Sequence, residues 1–190
     1  MIKPPRNSYG YRNLLVYQKA EALQLAAADF VTEGRSFSTE KTLIALADQM
    51  ERSARSTKQN IIEGWKRNST NEYYQFLGYA TASNAELEAD FTDIIKGIYG
   101  NKGIKGEEKG VEWVETLPFY PLNTHLPPLI QLKLRAKELN FLLDKLQGSL
   151  SSKMKDEKTI SVADRMRANE QREAIGRKEL AVYLQKKGWD

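Results

Sequence analysis

TEKTLIALADQMERSARSTKQNIIEGWKR, residues 39–67, places Leu43, Leu46, Met50, Ala54, Thr57, Ile61 and Trp65 on one stripe. Steps of three and four are the spacing of a helix with one face on a core. At about 1.5 Å per residue such a helix spans roughly 40 Å. It is expected to run from about Thr39 to Arg67.

Working outward from this helix, the same period recurs on both sides. Residues 13–32 set Val16, Ala20, Leu23, Ala27 and Phe30 on one face, with Gly34 as the expected stop. Ser69, with Glu72 three residues on, reads as a capping box in which each side chain satisfies a backbone N–H of the helix start. That third helix carries Tyr73, Leu77, Ala80, Leu87, Phe91, Ile94 and Ile98. A second stripe of small residues, Gly78, Ala82, Ala85 and Ala89, predicts that a neighbouring helix approaches closely there and that this is the most buried element.

From Gly97 to about residue 123 the periodicity breaks into glycines, prolines and charges, with Gly97, Gly100, Gly103 and Gly106 three apart. The run is too short for collagen and lacks the GK[ST] of a phosphate-binding loop. It reads as a long loop with a small hairpin around Trp113. A fourth helix starts near Pro127 or Pro128, where a missing N–H costs nothing. It carries Leu129, Leu132, Ala136, Leu139, Leu143 and Leu146 and is expected to stop near Gly148. Residues 149–158 then read as a linker, and 161–187 as a poorly amphipathic helix whose apolar residues, such as Leu180, Tyr183 and Trp189, gather late. No segment reads as a strand.

The absence of cysteine excludes disulfides, zinc-thiolate sites, iron–sulfur clusters and a cysteine nucleophile together, and fits a reducing cytosol. The N-terminal MIKPPRNSYGY lacks the apolar run of a signal peptide, and no later run is long enough to cross a bilayer. The net charge is +4 and the pI about 9.1. Residues 1–70 carry 11 Lys/Arg against 7 Asp/Glu, residues 71–125 carry 4 against 9, and residues 126–190 carry 14 against 9. An acidic middle between two basic flanks suits a polyanion, and equally suits subunits that attract one another.

Arg52, Arg55 and Lys58 are three apart on the second helix, with Lys66 and Arg67 near its end, so several can contact successive phosphates. The ordinary alternative is a solvated face with Glu63 pairing Arg67 at i, i+4. Ser53, Thr57, Asn60 and Gly64 make a small polar stripe. No histidine is near to activate a hydroxyl, so close helix packing with inter-helix hydrogen bonds is expected. Glu63, Glu72, Glu86 and Glu88 raise the question of a carboxylate-bridged metal site, but such bundles use Glu-x-x-His pairs. His125 is the single histidine, set in a proline-rich loop, and no arginine precedes it at the spacing of the Arg-x4-6-His ribonucleases. Trp65, Tyr73, Tyr74 and Phe76 suggest a base-stacking platform. Trp65 and Tyr73 fall on core stripes, which leaves Tyr74. Asn68-Ser69-Thr70 matches a glycosylation acceptor and is explained by capping.

Arg52-Ser-Ala-Arg-Ser56, Asn60-Ile-Ile-Glu-Gly64, Arg67, Ser69, Glu72, Gln75-Phe-Leu77, Ala80, Ser83 and Glu86-Leu-Glu88 together resemble the signature of a bacterial four-helix-bundle family. That family is named after proteins encoded in 23S rRNA intervening sequences. Leu14-Leu-Val-Tyr-Gln-Lys-Ala20 is similar to its first helix, so the resemblance spans roughly residues 11–148 in blocks. It implies an antiparallel four-helix bundle in which Asn60, Glu63, Gly64, Ser69 and Glu72 are structural, and assembly as barrel-shaped homopentamers. One relative, the accessory protein of diversity-generating retroelements, binds a reverse transcriptase and nucleic acid through a basic surface. The longer loop before the fourth helix departs from the family, and residues 149–190 look like those of a subgroup with a C-terminal suffix domain.

The expectation is therefore an all-α chain, with an antiparallel four-helix bundle at 1–148 and a linker with helical suffix at 149–190. Its function is expected to be that of a non-enzymatic, cytoplasmic homo-oligomer without cofactor, metal or catalytic residue. It would bind RNA or DNA, or a nucleoprotein partner such as a reverse transcriptase, through Arg52, Arg55, Lys58, Lys66 and Arg67. The alternative is a purely structural protein–protein assembly module with Arg52 and Arg55 buried between subunits.

Overall fold

The apolar stripes become the inward faces of helices. The computed structural model describes residues 9–37, 41–98 and 112–159, with the isolated positions 171 and 174. A 3-10 turn, Gly10–Asn13, precedes α1 (Leu15–Phe37), α2 (Lys41–Lys66), α3 (Thr70–Lys96), a short α4 (Glu112–Thr116) and α5 (Pro128–Thr159). Among the described residues there is no strand.

α1 packs on α2, α2 on α3, α3 on α5, and α5 back on α1, which closes a four-helix bundle. The cross-contacts fix the directions. Ser53 donates to Glu86 at 3.1 Å, Ser56 meets Ser83 at 3.0 Å, and Gly64 lies against Tyr73 and Phe76, so α2 and α3 run antiparallel. Asn84 donates to the Ala136 carbonyl and the Asn140 amide oxygen, both at 2.8 Å, while Gln147 reaches the Tyr74 carbonyl, so α3 and α5 are antiparallel too. Asn140 in turn donates to Glu88 at 2.7 Å. This polar chain inside an apolar seam fixes the register of α3 on α5, because a shift would leave buried amides unpaired.

The turn between α2 and α3 follows the capping box. Ser69 Oγ accepts from the Glu72 N–H at 3.1 Å, and the Glu72 carboxylate accepts from the Ser69 N–H at 3.2 Å. α3 ends at Gly97, whose φ of 71° is the left-handed conformation that glycine adopts without strain.

Several expectations are corrected. α1 passes Gly34 and α5 passes Gly148, because a helical glycine costs only about 1 kcal/mol and the flanking residues continue the helix. Residues 149–158, expected as a linker, are α-helical. Trp113 sits in α4 rather than in a hairpin. At the end of α3 Ile95 is buried and Ile94 packs half-buried on the core, while Ile98 is exposed because it lies past the left-handed Gly97 that ends the helix. Ala82, Ala85 and Ala89 are exposed and take no helix among the described residues, while Gly78 of the same stripe faces Gln147 of α5. α3 is flanked on both sides, by α2 and α5, through other residues.

The most enclosed stretch is instead the first half of α5. Leu129, Ile130, Leu132, Lys133, Leu134, Ala136, Glu138 and Leu139 are all buried, and the side with Gln131 and Arg135 is half-exposed. Residues 112–126 explain this, since they strap its outer face. Val114 is fully buried, Leu117, Phe119, Leu122 and Leu126 pack on the core, and the Phe119 ring lies 5.5 Å from that of Phe141. Gln131 ties the end of the strap to α5 by donating to the Thr124 and Leu126 carbonyls. Glu115 pairs with the buried Lys133 ammonium and, at 3.3 Å, with Lys137. The hydrogen bond from Lys133 holds the Glu115 carboxyl below its ordinary range. Gly100, Gly103 and Gly106 lie outside the described residues, as does the predicted 161–187 helix apart from positions 171 and 174.

Candidate nucleic-acid interface

α2 buries Leu46, Met50, Ala54, Thr57 and Ile61, and so turns the opposite face of the same helix to solvent. Helical geometry then sorts the five predicted cations. Arg52, Arg55 and Lys66 are exposed and face outward together. Their side chains make no hydrogen bond or ion pair among the described residues.

The other two are drawn away. Lys58 leans toward α1, where its ammonium lies 4.0 Å from Glu21. Arg67 turns toward α3: its guanidinium is 3.8 Å from Glu63 and lies over the Phe76 ring at 4.3 Å. The Glu63–Arg67 pair that sequence spacing suggested is therefore present, and the expected row of five becomes a face of three with a stacked arginine at its end.

The polar stripe does what close packing requires, by mixed means. Ser53 bonds across to Glu86, while Thr57 donates back to the Ser53 carbonyl at 2.8 Å and Asn60 to Ser56 at 3.2 Å within α2. Gly64 is the point of nearest approach, since a Cβ there would lie 2.8 Å from Phe76 Cβ and 2.9 Å from Tyr73 Cδ2. Trp65 and Tyr73 meet edge to face at 6.2 Å in the same contact.

Acidic groups border this surface. Glu86, Asp90 and Asp93 follow one another along α3 beside α2. Asp90 is buried, accepts only a long 3.4 Å hydrogen bond from Gln49, and leaves Oδ2 unbonded. Burial, reinforced by Glu86 and Asp93, pushes its carboxyl up to about 6. His125 is exposed, and its backbone N–H donates to Asn123 Oδ1 in a turn. Among the described residues no group of three or more His, Asp or Glu side chains is placed to hold a metal ion, and no helix is long and apolar enough to cross a membrane.

Tyr79 was missed in the sequence. It is 56% exposed, and its ring stands 5.6 Å from Phe76, edge to face. The signal available was its position two residues after Leu77, off the core stripe of α3.

No curated protein and no solved structure matches the chain significantly. Residues 12–98 match the family model for the 23S rRNA-intervening sequence protein. The match takes in α1, α2 and α3 and stops before α4, so it does not reach residues 149–190, on which the suffix-domain subgroup rests. Over those three helices, the chain is similar to the 23S rRNA-intervening sequence protein family.

Proposed function

We propose that this chain is a non-enzymatic, oligomeric helical bundle that binds nucleic acid, or a nucleoprotein partner, through the outward face of α2. The observation that carries the reading is that Arg52, Arg55 and Lys66 share one exposed face and lack acidic partners among the described residues. Unpaired cations in a row bind phosphates with counterion release and without first breaking an ion pair. Lys58 and Arg67, each beside a glutamate, contribute less.

The test is binding to labelled RNA and DNA over a salt series, with Arg52, Arg55 and Lys66 all changed to Ala. Each lost phosphate contact lowers the slope of log affinity against log salt by about 0.7–0.9. A loss of two to three such steps in a mutant of unchanged mass by light scattering supports the reading. Equal affinity and slope in both proteins refute it.

A second reading, a structural assembly module without nucleic-acid binding, is favoured by exposed apolar residues. Leu15 and Leu25 on α1 are 52% and 64% exposed, and Ala82, Ala85 and Ala89 of α3 face outward. It predicts that the triple mutant loses its oligomeric state.

A further inference from the structure

We infer that Tyr79, Phe76 and Arg67 form a base-stacking site, which makes single-stranded rather than duplex nucleic acid the preferred ligand. This rests on the nucleic-acid reading of α2 and names the ligand class for it.

Three features of the cluster lead there. Tyr79 is 56% exposed on a helix whose core stripe is complete without it, and its hydroxyl makes no hydrogen bond among the described residues. Phe76 buttresses it edge to face at 5.6 Å, so the phenol is held in place rather than left to collapse onto the surface. Arg67 lies over the other ring at 4.3 Å, which presents a planar cation beside two aromatic edges. Rings and guanidinium planes of this kind stack on unpaired bases, whereas bases in a duplex are already stacked on one another and are out of reach.

The surroundings give the strand its path. Lys66 adjoins Arg67, and the outward cations of α2 run back from it to Arg52 over about 21 Å of helix. A single strand along that face has phosphates on Arg52, Arg55 and Lys66 and turns its end bases onto Tyr79 and Phe76. Glu86, Asp90 and Asp93 lie farther along α3. Ser53 bonds Glu86 and Gln49 bonds Asp90, so these carboxylates stand beside Arg52 and weaken the attraction for phosphate there, which leaves it strongest toward Lys66, the end where Tyr79 stands.

The experiment compares a labelled single strand of about 12 nucleotides, within the range that such platforms cover, with the duplex of the same sequence. RNA and DNA are both used. The proteins are the natural chain, Tyr79→Ala, Tyr79→Phe, and the Arg52→Ala/Arg55→Ala double variant, each checked by circular dichroism and light scattering. Tyr79→Ala is expected to weaken single-strand binding about tenfold, the loss of one stacked base, with salt slope and duplex affinity unchanged. Tyr79→Phe, which keeps the ring, is expected to retain binding.

Unchanged single-strand affinity in Tyr79→Ala, alongside a reduced salt slope in the arginine double variant, overturns the stacking site and leaves the α2 reading standing. If the natural chain binds neither ligand at low salt, both fail. A Tyr79→Ala protein that loses its oligomeric state assigns the ring to a subunit interface and overturns the proposal as well.

Discussion

Removing the Glu115 carboxylate is a sharp test of how the strap is held. The Lys133 side chain is only 1% exposed, and its ammonium is bonded to Glu115. Glu115→Ala leaves that charge inside the bundle without a counterion. Breaking a buried pair from one side costs about 3–5 kcal/mol. Glu115 is itself 49% exposed, so water can reach the vacated site, and the lower end, about 3 kcal/mol, is the expected loss. For a chain of this size about 1 kcal/mol moves Tm by roughly 2–4 °C, so Glu115→Ala should melt about 6–12 °C below the natural protein. The assay is thermal unfolding by circular dichroism at pH 7, with Lys133→Met and the double variant completing a cycle. Lys133→Met replaces the charge with an apolar chain of similar length and should cost little. In that background Glu115→Ala should cost little too, which gives a coupling of about 2 kcal/mol or more. The sign against pH follows from the lowered Glu115 carboxyl: its stabilisation is present above the unfolded value of about 4.3 and fades as pH falls through the lower folded value. A Glu115→Ala melting point within about 2 °C of the natural chain, less than the shift of a single kcal/mol, would refute the account of the strap as an ionic clasp. So would a Glu115→Ala effect of equal size with and without Lys133→Met.

Two further perturbations probe the α2–α3 interface. Asp90→Asn removes a carboxyl that burial raises from 3.8 to about 6, so its cost is absent below the unfolded value and grows as pH rises through the folded one. The mutant should gain roughly 3 kcal/mol at most over the natural chain above pH 6, and nothing near pH 3; a difference in Tm that does not change with pH would sink this. Gly64→Ala places a Cβ 2.8 Å from Phe76 Cβ, an overlap whose cost of about 1–3 kcal/mol exceeds the helix-propensity gain of about 1 kcal/mol. Urea unfolding should show a net loss, and a stabilised mutant would mean that α3 can step back without penalty.

What the sequence made legible was whatever depends on near neighbours along the chain. The α2 stripe from Leu46 to Ile61, the Ser69–Glu72 box and the Pro128 start are set by periodicity and capping, and they stand in the structure. The termini at Gly34 and Gly148 were misread because a glycine permits a helix end without compelling one. Lys58 looked like one of three equivalent cations, but its partner Glu21 is on another helix, and spacing within α2 carries no record of it. Glu115 and Lys133 are 18 residues apart, on two helices joined by a loop, and Lys133 reads in sequence as an ordinary surface lysine between two leucines. The outward Ala82, Ala85 and Ala89 of α3 show the limit from the other direction: small residues permit close approach, yet no helix among the described residues makes it.

The strap and the exposed cations have a common structural origin. In a four-helix bundle each helix needs only one face for the core, so each has an outward face whose fate is decided separately. In α5 that face carries Lys133, Lys137 and Phe141, and the 112–126 segment covers it through Glu115 and Phe119. In α2 it carries Arg52, Arg55 and Lys66, and nothing described covers it. Covering α5 concentrates apolar burial on the side of the bundle diagonal to α2, so the α2 face is not required for stability and can hold unpaired like charges at little energetic cost. Neutralising Arg52 and Arg55 should therefore leave folding stability nearly unchanged while altering what the surface binds, whereas cutting the strap should do the reverse. That separation is what makes the α2 face a candidate for function rather than an incidental product of the fold.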